Sequence, residues 1–240
     1  MKLYRALQSQ GFGSRKGCIT LARAGAVAVN GQPCDDPEAE VDPAGLELTL
    51  DGVTWPYREK AYVLMHKPAG YECSHHPRHH PSVFALLPPP LLQRGVQCVG
   101  RLDQDTTGLL LFSDDGQFIH RMISPKKGVA KVYRAVCAEP VTEAMLEALR
   151  HGVQLSDEPA PIAALACDKL DEITLRLTLA EGKYHQVKRM IAATGNRVDS
   201  LHRESVGDYA LPADLPPGSW RWLESGDLKQ LEQSWPSAMS

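Results

Sequence analysis

The segment that most constrains this chain is residues 100–111, with the sequence GRLDQDTTGLLL. Gly100 and Gly108 bracket a polar loop, and the leucines after Gly108 predict a buried strand. Asp103 therefore lies in a tight loop at the start of a strand, two residues after Arg101. An isolated aspartate in a turn is more often only a turn former, but one held at the mouth of a strand is a candidate for chemistry.

Size and composition exclude several classes of protein. A chain of 240 residues forms one large domain or a small domain beside a medium one, and 43% hydrophobic content is ordinary for a globular protein. No segment approaches the roughly 18 continuous apolar residues of a membrane span, and no apolar run follows the N-terminus as in a secretory signal. The six scattered cysteines form no CxxC pair, which predicts reduced thiols in a cytoplasmic protein.

Charge is segregated along the chain. The formal net charge of −3 argues against a nucleic-acid-binding protein. However, residues 1–34 and 121–134 carry basic side chains and no acid, whereas residues 35–51 carry acidic side chains and no base. Phosphate binding depends on local positive potential, so the two basic segments are candidate RNA contacts. Charge alone leaves ordinary solvated helix surfaces as the alternative.

The N-terminal sequence predicts two short helices and a hairpin. Residues 3–10 favour one helix, and Ser14 is placed to cap a second helix over residues 15–24. Residues 26–29 then predict a strand, and the Asn30-Gly31 pair is a strong signal for a two-residue hairpin turn.

The second helix presents Arg15, Lys16 and Arg23 to solvent. Short helical pairs with a basic face suit folded RNA, which proteins recognise mainly by shape. The SRK at the start of this helix and the AGAVAVNG after it resemble the S4 RNA-binding domain. The resemblance implies such a domain over residues 1–56, with the three basic side chains contacting RNA. A helical cap on a larger domain is the alternative.

The rest of the chain predicts a second, larger domain over residues 57–236. Polar residues 51–59 predict a linker before it. The predicted strands cover residues 61–66, 97–99, 109–113, 129–137, 162–166, 173–179 and 197–204, and the predicted helices cover residues 117–123, 143–150 and 185–194. This irregular order favours an α+β fold with a mainly antiparallel mixed sheet over a doubly wound fold.

The KVYRA sequence at residues 131–135 carries a second group of candidate residues. In a strand, Lys131 and Tyr133 share one face and Arg134 lies on the other. A ring beside a cation suits a base turned out of an RNA strand, because the ring stacks on the base and the cation lies near phosphate. A tyrosine half-buried on a sheet is the alternative.

The predicted helix over residues 185–194 carries a third group. Val187 belongs to its apolar stripe, His185 and Arg189 lie roughly opposite, and Lys188 lies on the flank. A lysine there can run its stem along the core and bring its ammonium to a partly buried carboxylate, which keeps that carboxylate ionised. Lys188 is therefore placed to reach such a carboxylate. Arg189 is the alternative within the motif, and a solvated basic helix is the alternative to any such role.

Together these three motifs resemble those of the RNA pseudouridine synthases, enzymes that isomerise uridine in RNA. The resemblance extends from Lys2 to about Leu223 and is strongest for the RsuA-type branch, in which an S4 domain precedes the catalytic domain. The LMHKPAGY segment also fits that branch, although His66 stands where the family usually has asparagine. The resemblance implies a pseudouridine synthase fold, no cofactor and no metal, since substrate and product are isomers.

The resemblance also implies residue roles. Asp103 is the catalytic acid, as nucleophile or as base, Tyr133 packs against the target base, and Lys188 pairs with Asp103. The residues predicted to bind RNA are Arg15, Lys16, Arg23, Arg101, Lys131, His185 and Arg189. The implied substrate is one uridine of ribosomal RNA, most closely 16S rRNA, in free RNA or in a small-subunit precursor. The enzyme is expected to be a monomer in the cytoplasm.

Other functions remain open at this point. A 23S rRNA enzyme of the same family and a non-catalytic RNA-binding assembly factor share the resemblance. A hydrolase using Asp103 and Asp105 is a third alternative, although such pairs usually come from different segments. The histidines of residues 75–80 lack helical ligand spacing and a carboxylate partner, so no metal site is predicted. No P-loop or GxGxxG sequence suggests a nucleotide cofactor.

Overall fold

The structure, a computed structural model, describes residues 1–232, which divide into two compact units. The first unit comprises residues 1–61 and 87–97, and the second comprises residues 62–86 and the chain from residue 98. The predicted boundary after residue 56 stays a prediction, and residues 233–236 of the predicted second domain lie outside the described residues. Within the described part, no helix has the length and hydropathy needed to cross a membrane.

The first unit contains three helices and a four-stranded antiparallel sheet. The helices are α1 (Leu3–Ser9), α2 (Arg15–Arg23) and α3 (Pro89–Gln93). The strands are β1 (Val27–Val29), β2 (Gln32–Pro33), β3 (Glu47–Leu50) and β4 (Val53–Pro56), in the order β2-β1-β3-β4. Ser14 caps α2 as predicted, since its side chain accepts a hydrogen bond from the Gly17 amide. Asn30 and Gly31 both have positive φ, as the predicted two-residue hairpin turn requires.

The linker predicted over residues 51–59 is wrong. Asp51 and Gly52 have φ of 48° and 76° and form a second hairpin turn that joins β3 to β4. Asp-Gly carries the same left-handed preference as Asn-Gly, so the signal was present in the sequence. Trp55 on β4 is buried and packs edge-to-face on Phe12, with the ring centroids 5.7 Å apart.

Residues 87–97 belong to the first unit because α3 packs closely on its N-terminal part. The Pro90 carbonyl approaches Gly11 so closely that a Cβ there would lie 2.1 Å from its oxygen. Arg94 donates hydrogen bonds to the Gln10 side chain (2.9 Å) and to the Arg58 carbonyl (2.8 Å). This insertion of a later segment into the N-terminal unit carries no local sequence signal.

The second unit is built on a mainly antiparallel mixed sheet. Its strands are β5 (Tyr62–Lys67), β7 (Thr107–Ser113), β8 (Lys131–Cys137), β9 (Ala166–Lys169), β10 (Thr174–Leu179), β11 (Val198–Val206), β12 (Tyr209–Ala210) and β13 (Trp220–Trp222); β6 (Gln97–Cys98) spans the division between the units. The order is β13-β5-β7-β11-β8-β10-β9, with β12 paired to β11. Among these neighbours only β7 and β11 run parallel, which confirms the predicted sheet type.

Up to residue 232, four helices accompany this sheet: α4 (Gly116–Ile123), α5 (Glu143–His151), α6 (Gln186–Ala193) and α7 (Ser225–Leu231). Short 3-10 turns cover Val83–Leu86 and Pro125–Lys127. Leu64, Leu109 and Phe118 belong to one apolar core of this unit.

One predicted strand, over residues 162–166, is wrong. Ile162 makes only an isolated bridge to Val153, and β9 begins at Ala166. The start of β9 is set by its pairing with β10, where Ala166 lies opposite Thr178. This pairing partner lies outside the local window that suggested the strand.

Candidate active site

The loop that carries Asp103 is anchored from beneath by a buried lysine. Lys67, at the end of β5, is 0% exposed. Its Nζ atom lies 2.9–3.2 Å from four carbonyl oxygens, those of Pro68, Asp103, Gln104 and Thr106. Burial lowers the pKa of Lys67. The carbonyl groups, rather than a carboxylate, therefore satisfy this ammonium, and it holds the backbone of the loop in one conformation.

The side chain of Lys188 bridges two carboxylates. Its Nζ lies 3.2 Å from Asp103 Oδ2 and 2.6 and 2.9 Å from the two oxygens of Asp105. Burial acts to lower the pKa of Lys188, but its hydrogen bond to Asp105 and the charge of Asp103 outweigh burial and raise it. For Asp105, burial acts to raise the pKa, but the hydrogen bond from Lys188 prevails and lowers it. Lys188 is thus a stable ammonium at neutral pH.

The other oxygen of Asp103 faces an imidazole. His185 Nε2 lies 3.2 Å from Asp103 Oδ1. His185 precedes α6 with φ of 47°, and the ring of Tyr184, itself 76% exposed, stacks on it at 3.8 Å. We predicted His185 only as an RNA-binding residue and missed its contact with the acid. Its place in the same motif as Lys188 is the only signal in the sequence, because its left-handed backbone puts it outside the helical spacing of α6.

Arg189, the alternative partner within the motif, does not contact Asp103. It forms an ion pair with Asp157 and donates a hydrogen bond to the Tyr184 carbonyl (3.0 Å). The geometry therefore places Lys188, and not Arg189, against the candidate acid.

A cleft of about 420 Å³ opens beside these groups and is lined in part by Asp103 and Tyr133. Tyr133 lies on β8 and is 8% exposed, so its ring forms a wall of the cleft. Two buried polar atoms of the lining, Thr106 Oγ1 and Gln186 Nε2, have no hydrogen-bond partner within residues 1–232. Neither residue was predicted from the sequence. Gln186 lies inside the third motif, whereas no local signal marks Thr106.

Arg101 and Lys131, both predicted to bind RNA, differ in their surroundings. Arg101 is exposed and lines this cleft as well as a neighbouring one. Lys131 is only 9% exposed, and its Nζ donates a hydrogen bond to the Val129 carbonyl at 2.7 Å. Burial lowers the pKa of Lys131 to about 8, with a contribution from the charge of Arg203.

The three basic residues of the first unit lie on the exposed side of α2. Arg15, Lys16 and Arg23 are all exposed, and none has a carboxylate partner among the described residues. The Arg15 guanidinium lies 5.0 Å from the centroid of the Tyr4 ring. This helix therefore presents uncompensated positive charge to solvent, which suits contact with phosphate.

The histidine-rich loop is organised by backbone hydrogen bonds. The Glu72 carboxylate accepts hydrogen bonds from the amides of Arg78, His79 and His80 at 2.8–3.0 Å. These bonds lower the pKa of Glu72 to about 2. The Glu72 carboxylate is thus occupied by the backbone of this loop.

Comparison with known proteins identifies the family. A model of the family described as RNA pseudouridylate synthase matches residues 61–193, and a model of the S4 domain matches residues 1–47. The chain belongs to the RNA pseudouridylate synthase family. The predicted fold class and enzyme class, a pseudouridine synthase that acts as an isomerase, are thereby confirmed.

The chain is similar to other pseudouridine synthases over 70% to 97% of its length. The uncharacterized RNA pseudouridine synthase YtzG of Bacillus subtilis is 37% identical over 237 residues, covering 97% of this chain and 99% of the relative. Ribosomal small subunit pseudouridine synthase A of Escherichia coli is 42% identical over 167 residues, 70% of this chain and 72% of the relative. A crystal structure of a pseudouridylate synthase is 33% identical, with a TM-score of 0.68 and coverage of 96% and 99%.

Proposed function

We propose that this pseudouridine synthase converts one uridine of 16S ribosomal RNA to pseudouridine. The similarity to relatives named for the small ribosomal subunit, including those from Vibrio parahaemolyticus and Escherichia coli, supports this substrate. The S4 domain supports binding to structured RNA. We further propose that the enzyme acts as a monomer in the cytoplasm, on free rRNA or on a small-subunit precursor.

The observation that carries the proposal is the ion pair between Asp103 and Lys188 at the edge of the cleft lined by Tyr133. The target uridine leaves the RNA stack and enters this cleft, where its base packs on Tyr133. Lys188 holds its ammonium 3.2 Å from Asp103 Oδ2, and the Asp103 carboxylate is the group that acts as nucleophile or base.

The reaction conserves all atoms of the substrate. Asp103 assists the break between uracil N1 and ribose C1′, by attack on the sugar or by removal of a proton. The uracil rotates within the cleft, and a bond forms between its C5 and C1′. The hydrogen of C5 is released and N1 takes up a proton, so substrate and product are isomers.

The unpartnered polar atoms of the cleft supply contacts for the base. A buried donor without a partner is unfavourable unless a ligand satisfies it. Gln186 Nε2 can donate to a uracil carbonyl oxygen, and Thr106 Oγ1 can donate to a carbonyl or accept from the uracil N–H. These contacts hold the base while its bond to the sugar is broken.

The first test replaces the acid. We expect Asp103→Asn to fold normally and to bind 16S rRNA with unchanged affinity, but to lose turnover by at least about 10³-fold, because the amide is neither nucleophile nor base. Turnover is measured by tritium release from a 16S rRNA transcript labelled with [5-³H]uridine. The matched control, Asp105→Asn, retains the contact of Lys188 with Asp103 and is expected to keep measurable activity. Wild-type turnover by Asp103→Asn would show that the acid is misassigned.

The second test locates the substrate. Pseudouridines in 16S and 23S rRNA of a deletion strain are mapped by carbodiimide modification and reverse transcription, with the wild type or Asp103→Asn re-expressed. We expect one pseudouridine of 16S rRNA to disappear and to return only with the wild type. Loss of a 23S rRNA site instead would reject the 16S assignment while leaving the enzyme class intact.

A further inference from the structure

A second cleft, of about 510 Å³, lies beside the first and shares Tyr133 with it. Arg101 also lines both clefts, whereas Lys131 and Arg203 line only the second. On the sheet Arg203 lies directly opposite Tyr133, and Lys131 is two residues from Tyr133 on the same strand. Three cationic side chains therefore meet in one cleft, next to the ring on which the target base is proposed to stack.

Two of these cations are buried. Lys131 is 9% exposed and Arg203 is 4% exposed. The Lys131 ammonium donates hydrogen bonds to the carbonyls of Val129 (2.7 Å) and Met122 (3.5 Å). Arg203 Nε donates to the Leu109 carbonyl at 2.8 Å, and its two Nη nitrogens have no acceptor among residues 1–232. The flat end of the guanidinium is thus available to a ligand that enters the cleft.

The lining of the second cleft carries no acid to compensate this charge. None of the residues that line it is aspartate or glutamate. Glu204, the neighbour of Arg203 in sequence, pairs instead with Arg134 and Arg176, whose side chains lie on the other face of the sheet. The acid nearest in sequence is therefore committed elsewhere, and the positive potential of the cleft is not cancelled locally.

Buried like charges without a counter-ion are unfavourable, and a bound anion would relieve that cost. The lowered pKa of Lys131 has the same origin, burial together with the charge of Arg203. A guanidinium with free Nη groups matches the paired oxygens of a phosphate, and a lysine ammonium adds a point charge.

We propose that this second cleft binds a phosphodiester of the RNA strand, adjacent to the uridine held at Asp103. The proposal rests on the proposed function, because it takes the ligand to be RNA. A base stacked on Tyr133 has a phosphate on each side of its nucleotide, and the shared tyrosine wall places the second cleft within the path of the strand. Lys131 and Arg203 are then the groups that hold the backbone while the base is turned inward.

The test removes one charge at a time. Lys131→Met keeps the apolar stem of the side chain, and Arg203→Gln keeps a donor but no charge. Lys229→Met, at an exposed lysine on α7, is the matched control for removal of one charge. Binding of a 16S rRNA transcript is measured by filter binding between 50 and 300 mM KCl, and circular dichroism checks the fold of each variant.

We expect Lys131→Met and Arg203→Gln each to weaken RNA binding about tenfold or more, because each removes a charged hydrogen-bond donor to phosphate. The slope of log K against log salt should fall in magnitude by about 0.7 for each phosphate that the variant no longer neutralises. Lys229→Met should leave both quantities unchanged. If Arg203→Gln does not fold, Lys131→Met alone decides the outcome.

Two results would overturn the proposal. One is unchanged affinity and salt slope in folded Lys131→Met. The other is binding of inorganic phosphate, measured by calorimetry, that is abolished in Lys131→Met while rRNA affinity stays at the wild-type value, since the cleft would then serve a free anion. Failure of the proposed function would give a different result. If the wild type binds rRNA through this cleft but releases no tritium, the proposed function is wrong and the phosphate site stands.

Discussion

The smallest unit of function in this enzyme is one ammonium group shared by two carboxylates. Lys188 lies closer to Asp105 (2.6 Å) than to Asp103 (3.2 Å). Asp105 therefore holds the lysine in place, and Lys188 in turn faces the candidate catalytic acid. His185 completes the surroundings of Asp103 on its other oxygen. A carboxylate with a cation on one oxygen and an imidazole on the other has a defined orientation towards the cleft.

Replacing this cation should impair chemistry more than binding. We expect Lys188→Met to reduce kcat by about 10²-fold or more with little change in KM, because two carboxylates then face each other without compensation. Lys188→Arg retains the charge and should recover part of kcat. Both constants come from tritium-release kinetics on a 16S rRNA transcript. A rise in KM with normal kcat would instead make Lys188 a residue that only binds RNA.

Lys131 should give the stability of the enzyme a characteristic pH dependence. Its pKa is about 8 in the folded protein and about 10.4 in an unfolded chain, so between these values only the unfolded state holds the proton. The free energy of unfolding should therefore rise with pH from about 8 to 10, by up to about 3 kcal/mol from this residue. Below pH 8 both states are protonated and the contribution is constant.

The measurement is urea unfolding of the wild type and Lys131→Met at several pH values between 7 and 10. Other groups titrate in both proteins, so the difference between the two isolates Lys131. We expect the wild type to gain stability relative to Lys131→Met as pH rises. A difference that is flat across this range would contradict the buried ammonium.

At the scale of elements, the parallel pairing of β7 with β11 joins the loop that carries Asp103 to the strand that carries Arg203. Gly108, at the start of β7, has φ of 108° and lies against the backbone of Arg203. A Cβ at this position would be 2.3 Å from the Arg203 carbonyl oxygen. The glycine that ends the Asp103 loop therefore also permits the close approach of the strand that carries Arg203.

Substitution of this glycine should be costly. We expect Gly108→Ala to lower the free energy of unfolding by about 3 kcal/mol or more, since the strands must separate and the positive φ is strained. Gly116→Ala, at the start of α4 with open space around it, is the matched control and should change stability by less than about 1 kcal/mol. Chemical denaturation measures both. Equal stability of the two variants would show that β7 and β11 do not approach so closely.

At the scale of the whole molecule, the candidate chemistry and a candidate RNA-binding surface belong to different units. Asp103, Tyr133, His185 and Lys188 lie in the second unit, whereas Arg15, Lys16 and Arg23 lie on α2 of the first. A net charge of −3 is compatible with RNA binding because positive charge is concentrated on α2 and in the second cleft.

This separation predicts that binding and turnover respond to different substitutions. We expect the triple variant of Arg15, Lys16 and Arg23 to glutamine to weaken 16S rRNA binding, with a salt slope smaller in magnitude by about 2. Its kcat at saturating RNA should equal that of the wild type. Filter binding and tritium release measure the two properties, and Asp103→Asn serves as the reverse control. A loss of kcat at saturation would show that α2 takes part in the chemical step.

Features that depend on neighbouring residues could be predicted from the amino-acid order alone. Ser14 capping α2 and the Asn30-Gly31 turn follow from local backbone energetics, and Asp51-Gly52 carries the same information although the polar residues around it favour a linker. The order of the three motifs is enough to indicate the family and the identity of the candidate acid.

What surrounds that acid was settled by folding in three dimensions. Lys188 rather than Arg189 lies at Asp103, Lys67 is buried beneath the loop, and Lys131 is buried beside Arg203. These contacts join residues far apart in the chain, and they depend on how the strands pair and how closely they pack. No local pattern specifies those distances, because the energy of a buried charge depends on its partners in space rather than on its neighbours in sequence.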